Sequence, residues 1–246
     1  MDRLNLFIES ERARFINTDS NKFAFSFFQI ARYYEFIRTI ISRHDDAGLK
    51  FVANTLAFTA AVPSGDGSLT HEQQALLEEG RRLTSLVHLE IESFYLFAKI
   101  LLDKIARSIE FYFGPVRGRA LDSHDDLVKN FGIYSATKKL RVPGGMPELS
   151  SSLKKDVSDF RDYEIAHEKS PRRVSGTVIG ADGRTKLASI NIYPTPNDRQ
   201  VESKNLDGLL TAIDAYIDEL IELVTTNRHL TKLKLGGRLP SRRPDR

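Results

Sequence analysis

The stretch Leu83–Phe113, LTSLVHLEIESFYLFAKILLDKIARSIEFYF, decides how the rest of the chain is read. Leu83, Val87, Ile91, Phe94, Ala98, Leu101, Ile105 and Ile109 recur at helical spacing, and Leu86, Leu89, Leu96, Phe97, Ile100 and Leu102 cover the flanks. A helix that is apolar on so many sides belongs in the middle of a bundle. Its polar residues His88, Glu92, Tyr95, Lys99 and Asp103 fall in one strip about 80° wide at 100° per residue. That strip has two readings: a solvated face with an ordinary Lys99–Asp103 ion pair, or the lining of a polar site completed by another helix.

Working outward, Leu4, Phe7, Ile8 and Phe15 mark a short amphipathic helix over 4–16, and Asn17–Asn21 reads as a turn. Phe27, Ile30, Tyr34, Ile37 and Ile41 give a second helix holding seven of the chain's 23 aromatics. Stacked bases could use such rings, but helical spacing favours core. Asp45, Asp46 and Gly48 predict a break before the run Leu49 to Val62, which reads as a helix or a buried strand, with helix favoured, and which Pro63–Gly67 ends. Thr70 and Gln73 have capping-box spacing for a helix that passes through Gly80, a candidate bend, into the central stretch. Gly114 and Pro115 stop it.

Ser123 with Asp126 opens another short helix, and Val142–Met146 is a breaker. Pro147 begins the second central element, with Leu149, Leu153, Val157 and Phe160 as its inner face and Ser170-Pro171 as its end. Arg173–Ile179 and Thr185–Tyr193, joined through Gly180 and Gly183, read as a β-hairpin that needs the bundle or a second subunit for support. Leu206, Leu210, Ile213, Ile217, Leu220 and Val224 mark the last helix. The expected fold is mainly α: an up-and-down helical bundle over 1–230 as one domain, with one appended two-stranded β-hairpin at about 173–193.

Composition bounds the chemistry. The 246 residues contain no cysteine, so disulfides and thiolate metal sites are excluded and a cytoplasmic location is expected. No apolar run is long enough for a membrane span. From Thr231 to Arg246 there are six Lys or Arg against Asp245, which leaves residues 1–230 at net −2 within a chain of net +3. The basicity thus belongs to a Gly- and Pro-containing tail, 231–246, expected to be flexible. It reads as a source of phosphate attraction or as a solubilising end.

No P-loop, dinucleotide-binding glycine pattern, nucleophile elbow or HExxH is present. His88 and Glu92 have metal-ligand spacing, but two ligands do not make a site, and no metal or other cofactor is expected. What remains is DFRDYEIAHEKSP, residues 159–171, in which Arg161 precedes His167 by six positions.

That segment, with FYLFAKILLDKIA upstream, resembles the HEPN superfamily, small helical bundles whose hallmark is Arg, four to six residues, then His. Here Arg161 and His167 enclose five residues, and Asp162 supplies the polar residue the family often places after the Arg. The resemblance implies a metal-independent endoribonuclease or an RNA-binding protein, in a toxin, defence or stress-response role. His167 would work on the 2′-hydroxyl or leaving oxygen and Arg161 on the phosphorane charge. It also implies a homodimer that brings two motifs to one cleft, and leaves room for a protein antitoxin or neighbour. Members controlled by a nucleotidyltransferase often carry Tyr two places after the His; Lys169 stands there in this chain.

The physical chemistry of the pair is suited to that role. His titrates near neutrality and Arg meets phosphate with a bidentate fork. On a straight helix six residues separate side chains by about 120° and about 9 Å, a gap that a long Arg partly closes; the second motif from a partner is what the resemblance implies. Glu92, Lys99 and Asp103 are the expected supporting polar groups. The other reading gives Arg161 an ion pair with Glu164 or Glu168 and His167 a place at the core edge. The protein is then a non-catalytic bundle that binds a protein or nucleotide.

Overall fold

Helix formation dominates wherever the apolar periodicity is 3.6. The computed structural model describes residues 2–61, 68–159, 173–178, 187–193 and 206–236. Among these, six α-helices account for most of the chain: α1 (Asp2–Arg12), α2 (Asn17–Ala60), α3 (His71–Phe113), α4 (His124–Lys138), α5 (Met146–Leu153) and α6 (Leu206–Thr226). After α5 the chain widens into a π-helical segment, Lys154–Asp159. Strands β1 (Arg173–Val178) and β2 (Leu187–Tyr193) pair antiparallel, with an irregularity between Thr177 and Val178. No described helix is long and apolar enough to cross a membrane.

Several boundaries follow local chemistry. The Thr70 N–H reaches Gln73 Oε1 at 3.0 Å and the Gln73 N–H reaches Thr70 Oγ1 at 3.2 Å, a reciprocal cap at the start of α3. Gly114 ends that helix with φ +86°, a conformation that excludes most side chains. Ser123 caps α4 by accepting the Asp126 N–H, and Lys139 ends it in the left-handed region. Pro147 lies in the first turn of α5.

Other boundaries differ from expectation. Asn17–Asn21 is no turn but the first turn of α2, with Asp19 favourably placed near the helix N-terminus. Nor do Asp45, Asp46 and Gly48 break α2, which runs unbroken for 44 residues. Lys50 pairs with Asp46 at 2.6 Å one turn on, and buried Ala47 and Val52 anchor the helix on either side of Gly48. One helical Gly costs only about 1 kcal/mol, which such packing offsets. Gly80 likewise leaves α3 unbroken. Its missing side chain admits Asn54: a Cβ there would lie 2.9 Å from Asn54 Oδ1. On α5 the buried positions are Met146, Ser150 and Leu153, while Leu149 is only half-buried. The termination at Pro63–Gly67 and the inward position of Phe160 lie outside the described residues.

The chain divides into two compact units. The first gathers Met1–Tyr34, Lys99–Lys154 and Ile213–Arg246. At its centre Phe23 stacks on Phe27 at 4.4 Å, and Phe7, Phe15 and Tyr112 meet these rings edge-on or tilted within 6.2 Å. Each such ring contributes roughly 1.5–3 kcal/mol by leaving water. The aromatic-rich turn of α2 is not all core, however, because Phe25 is 71% exposed. It lies about 200° around the helix from Phe23 and Phe27, on the outer face.

Residues 231–236 belong to this unit and are not a free tail. The backbone carbonyl of Tyr112, near the end of α3 where the helix cannot satisfy it, accepts the Lys232 N–H and the Thr231 hydroxyl. Ile16 N–H bonds Lys234 O, Gly236 N–H bonds Arg14 O, and Leu233 is buried. Residues 237–246 lie outside the described part.

The second unit, Glu35–Ala98 with Lys155–Ala212, is built on the antiparallel pairing of the later part of α2 with the earlier part of α3. Phe36 meets Phe97 edge-on at 5.5 Å, Arg43 pairs with buried Glu90 at 2.5 Å, and Gln73 Nε2 donates to Ala61 O at 3.0 Å.

Candidate functional site

The polar strip on α3 divides by burial. Tyr95 is fully buried and Glu92 lies on the exposed side, whereas Lys99 is only 11% exposed. Lys99 donates to Asp103 Oδ1 at 3.0 Å, one helical turn on. Burial to that degree makes the pair more than a solvated i,i+4 bridge, because both ions have lost water and need further partners.

Those partners come from the start of α4. Asp103 Oδ1 also accepts the His124 backbone N–H at 2.8 Å, so it caps a helix N-terminus that Ser123 caps from its own side. A carboxylate at that place satisfies an otherwise orphaned donor and faces the positive end of the helix dipole. Asp125, on the next residue, lies 3.6 Å from Lys99 and 4.0 Å from Lys154, the first residue of the π-helical segment. Two ammonium groups and two carboxylates thus close a network between α3, the α4 N-terminus and the end of α5.

His124 sits inside that network. Its side chain is fully buried, and its ring meets Tyr216 of α6 edge-on, 5.6 Å away at 82°. Burial first, then the charges of Lys99 and Lys154, lower its pKa to about 3. The imidazole is therefore neutral at physiological pH, with one N–H donor and one acceptor nitrogen. Among the described residues neither ring nitrogen has a hydrogen-bond partner, and neither does the Tyr216 hydroxyl, whose own pKa burial raises. Such orphan groups in the interior are unfavourable by about 1–3 kcal/mol each. A base with so low a pKa takes few protons near neutrality, so this imidazole is suited to hydrogen bonding rather than to proton transfer.

Of the residues expected from sequence, Lys99 and Asp103 come together here, and Glu92 lies two turns earlier on α3. Arg161, Asp162 and His167 lie outside the described residues. Among the described residues no three His, Asp or Glu side chains gather as metal ligands would, and His88 and Glu92 gain no third ligand. Four further members, His124, Asp125, Lys154 and Tyr216, carry no motif. The Ser123–Asp126 cap located the α4 N-terminus, but nothing in the sequence marks the residue after a cap as buried.

Comparison of the chain with protein-family models, with curated proteins and with solved structures finds no significant match.

Proposed function

We propose that this chain is a HEPN-like protein that binds RNA and cleaves it without a metal ion, through His167 as the proton-transferring group and Arg161 as the stabiliser of phosphorane charge. The observation that carries this reading is the Arg161-x5-His167 spacing, in a chain whose described residues are mainly helical. Lys154 supports it: it belongs to the run that leads towards the motif, and it approaches Asp125 of the network formed with Lys99 and Asp103. In this reading a homodimer supplies a second motif to one cleft, and the β1–β2 pair is an appendage of the bundle.

The test is RNA cleavage by the purified protein in the presence of a chelator. Arg161→Ala and His167→Ala should each lower the rate by roughly 10² or more. Melting temperatures of both variants separate lost chemistry from lost fold. RNA left intact by the wild type, or cut equally by both variants, removes the nuclease and leaves a non-catalytic binding bundle.

A further inference from the structure

A groove of about 320 Å³ runs between the first part of α2 and the last part of α3, within the first unit. Its floor is neutral and polar: Ser26 Oγ and Ser108 Oγ share a hydrogen bond at 3.0 Å. Its walls are cationic and aromatic, with Lys22 and Phe25 from one helix and Lys104, Arg107 and Phe111 from the other. Among the described residues no carboxylate lines it. Residues 1–230 carry a net negative charge, so three cations without an acid in one groove are a local concentration and not a reflection of overall basicity.

These cations are not used elsewhere by ion pairing. None of the three has a carboxylate within 4.0 Å among the described residues. Arg107 donates its Nε to the Asp122 carbonyl at 2.7 Å, which fixes the guanidinium and leaves its terminal nitrogens available. Carboxylates near the ends of the groove are engaged by backbone: Asp19 by the Lys234 N–H and Glu110 by the Leu121 N–H. Lys232 extends the basic edge, with its ammonium 5.6 Å from the Phe111 ring centroid.

Phe25 supplies the second kind of contact. A single exposed apolar residue is ordinary on a protein surface. A Phe that is 71% exposed and shares a groove with three unneutralised cations has the composition of a stacking platform beside a phosphate track. We propose that this groove binds single-stranded RNA, with backbone phosphates held by Lys22, Lys104 and Arg107 and a base laid on Phe25. A duplex hides its base faces, so the aromatic contact selects single strands. An acidic peptide would satisfy the cations but gives the ring no planar partner. The volume is at the low end for a ligand pocket, which limits the enclosed part to about one base and its flanking phosphates. The inference rests on the RNA reading above but adds a binding surface on other residues than Arg161 and His167.

The experiment is fluorescence anisotropy of a labelled short oligouridylate with the full chain across a salt series. A duplex RNA and poly-glutamate serve as competitors, and cleavage is assayed in parallel. Lys22→Gln, Lys104→Gln and Arg107→Gln should each weaken binding and reduce the slope of log affinity against log salt by about 0.7. Phe25→Ala should weaken it roughly tenfold with the slope unchanged. Lys50→Gln, an exposed control elsewhere on α2, should leave it as it is. Groove variants that bind like the wild type overturn the proposal even where cleavage persists, and so does the absence of any binding. Displacement of the oligouridylate by poly-glutamate as readily as by unlabelled single strand overturns it in favour of an acidic protein partner. Groove variants that lose binding while the wild type cuts no RNA uphold the groove and remove only the nuclease.

Discussion

Tyr112 donates its phenol hydroxyl to Glu11 at 2.6 Å, joining the end of α3 to α1 across 101 positions of sequence. Glu11 is fully buried, and Arg14 and Arg228 also bind it, Arg228 at 2.8 Å. A buried carboxylate is tolerable only when such partners replace its water. Glu11→Ala is therefore expected to destabilise the protein by about 3–5 kcal/mol. Tyr112→Phe, which leaves both arginines, should cost less, about 1.5–3 kcal/mol. Urea unfolding of the two variants checks the order; a Tyr112→Phe effect as large as that of Glu11→Ala would contradict it.

His124 makes stability depend on pH in a defined window. Its folded pKa, about 3, lies below the value of about 6.5 for an unfolded His, so below pH 6.5 the unfolded chain binds a proton that the folded chain refuses. The contribution is intact above pH 6.5 and is lost as pH falls from there toward 3. Between pH 7.5 and 5 this amounts to about 2 kcal/mol. His124→Gln should flatten that part of the unfolding free-energy profile, though its stability at pH 7.5 falls through altered packing. An unchanged slope would show that the imidazole binds its proton equally in the folded and unfolded chain.

Gly80→Ala is expected to stabilise the protein by about 0.5–1 kcal/mol, the helix-propensity gain. Among the described residues the only close neighbour of the added Cβ is the end of the Asn54 side chain, which can rotate away. Gly114→Ala should have the opposite sign, by about 1 kcal/mol, because its φ is positive and Lys232 and Lys138 close over it. Thermal midpoints of the two variants give both signs.

Deleting Thr231–Arg246 should lower stability by about 3 kcal/mol or more, since several hydrogen bonds of about 1 kcal/mol each are lost along with buried Leu233. Leu233→Asp alone should reproduce part of that fall. A truncated chain with an unchanged melting temperature would refute the docking of residues 231–236.

What the sequence discloses is set by the range of the forces involved. The starts of α3, α4 and α5 and the stop at Gly114 were legible because a cap, a first-turn Pro or a terminal Gly acts on its own helix end. Asp45 and Gly48 misled because their local preference is about 1 kcal/mol, less than the burial that carries α2 through them. Phe25 was pooled with its aromatic neighbours as core, yet its phase already set it apart from Phe23 and Phe27. The Lys99–Asp103 pair was visible as an i,i+4 pattern, but its burial was not. His124 gave no signal at all, since its neutrality comes from burial and then from the charges of Lys99 and Lys154, which only folding brings to it.

The partners of Glu11 also set a clock on biosynthesis. Its second arginine, Arg228, is 217 positions downstream. At a translation rate of roughly 5–20 residues per second, α1 waits about 10–40 s after Glu11 is made before that contact can form. The residues of the α2–α3 contacts in the second unit are all made well before Arg228, so those contacts can form before it is available. Until Arg228 emerges, the N-terminal helix has a polar Glu11 side chain short of its partners on the face it must later bury, and that group keeps the face wet and disfavours premature collapse.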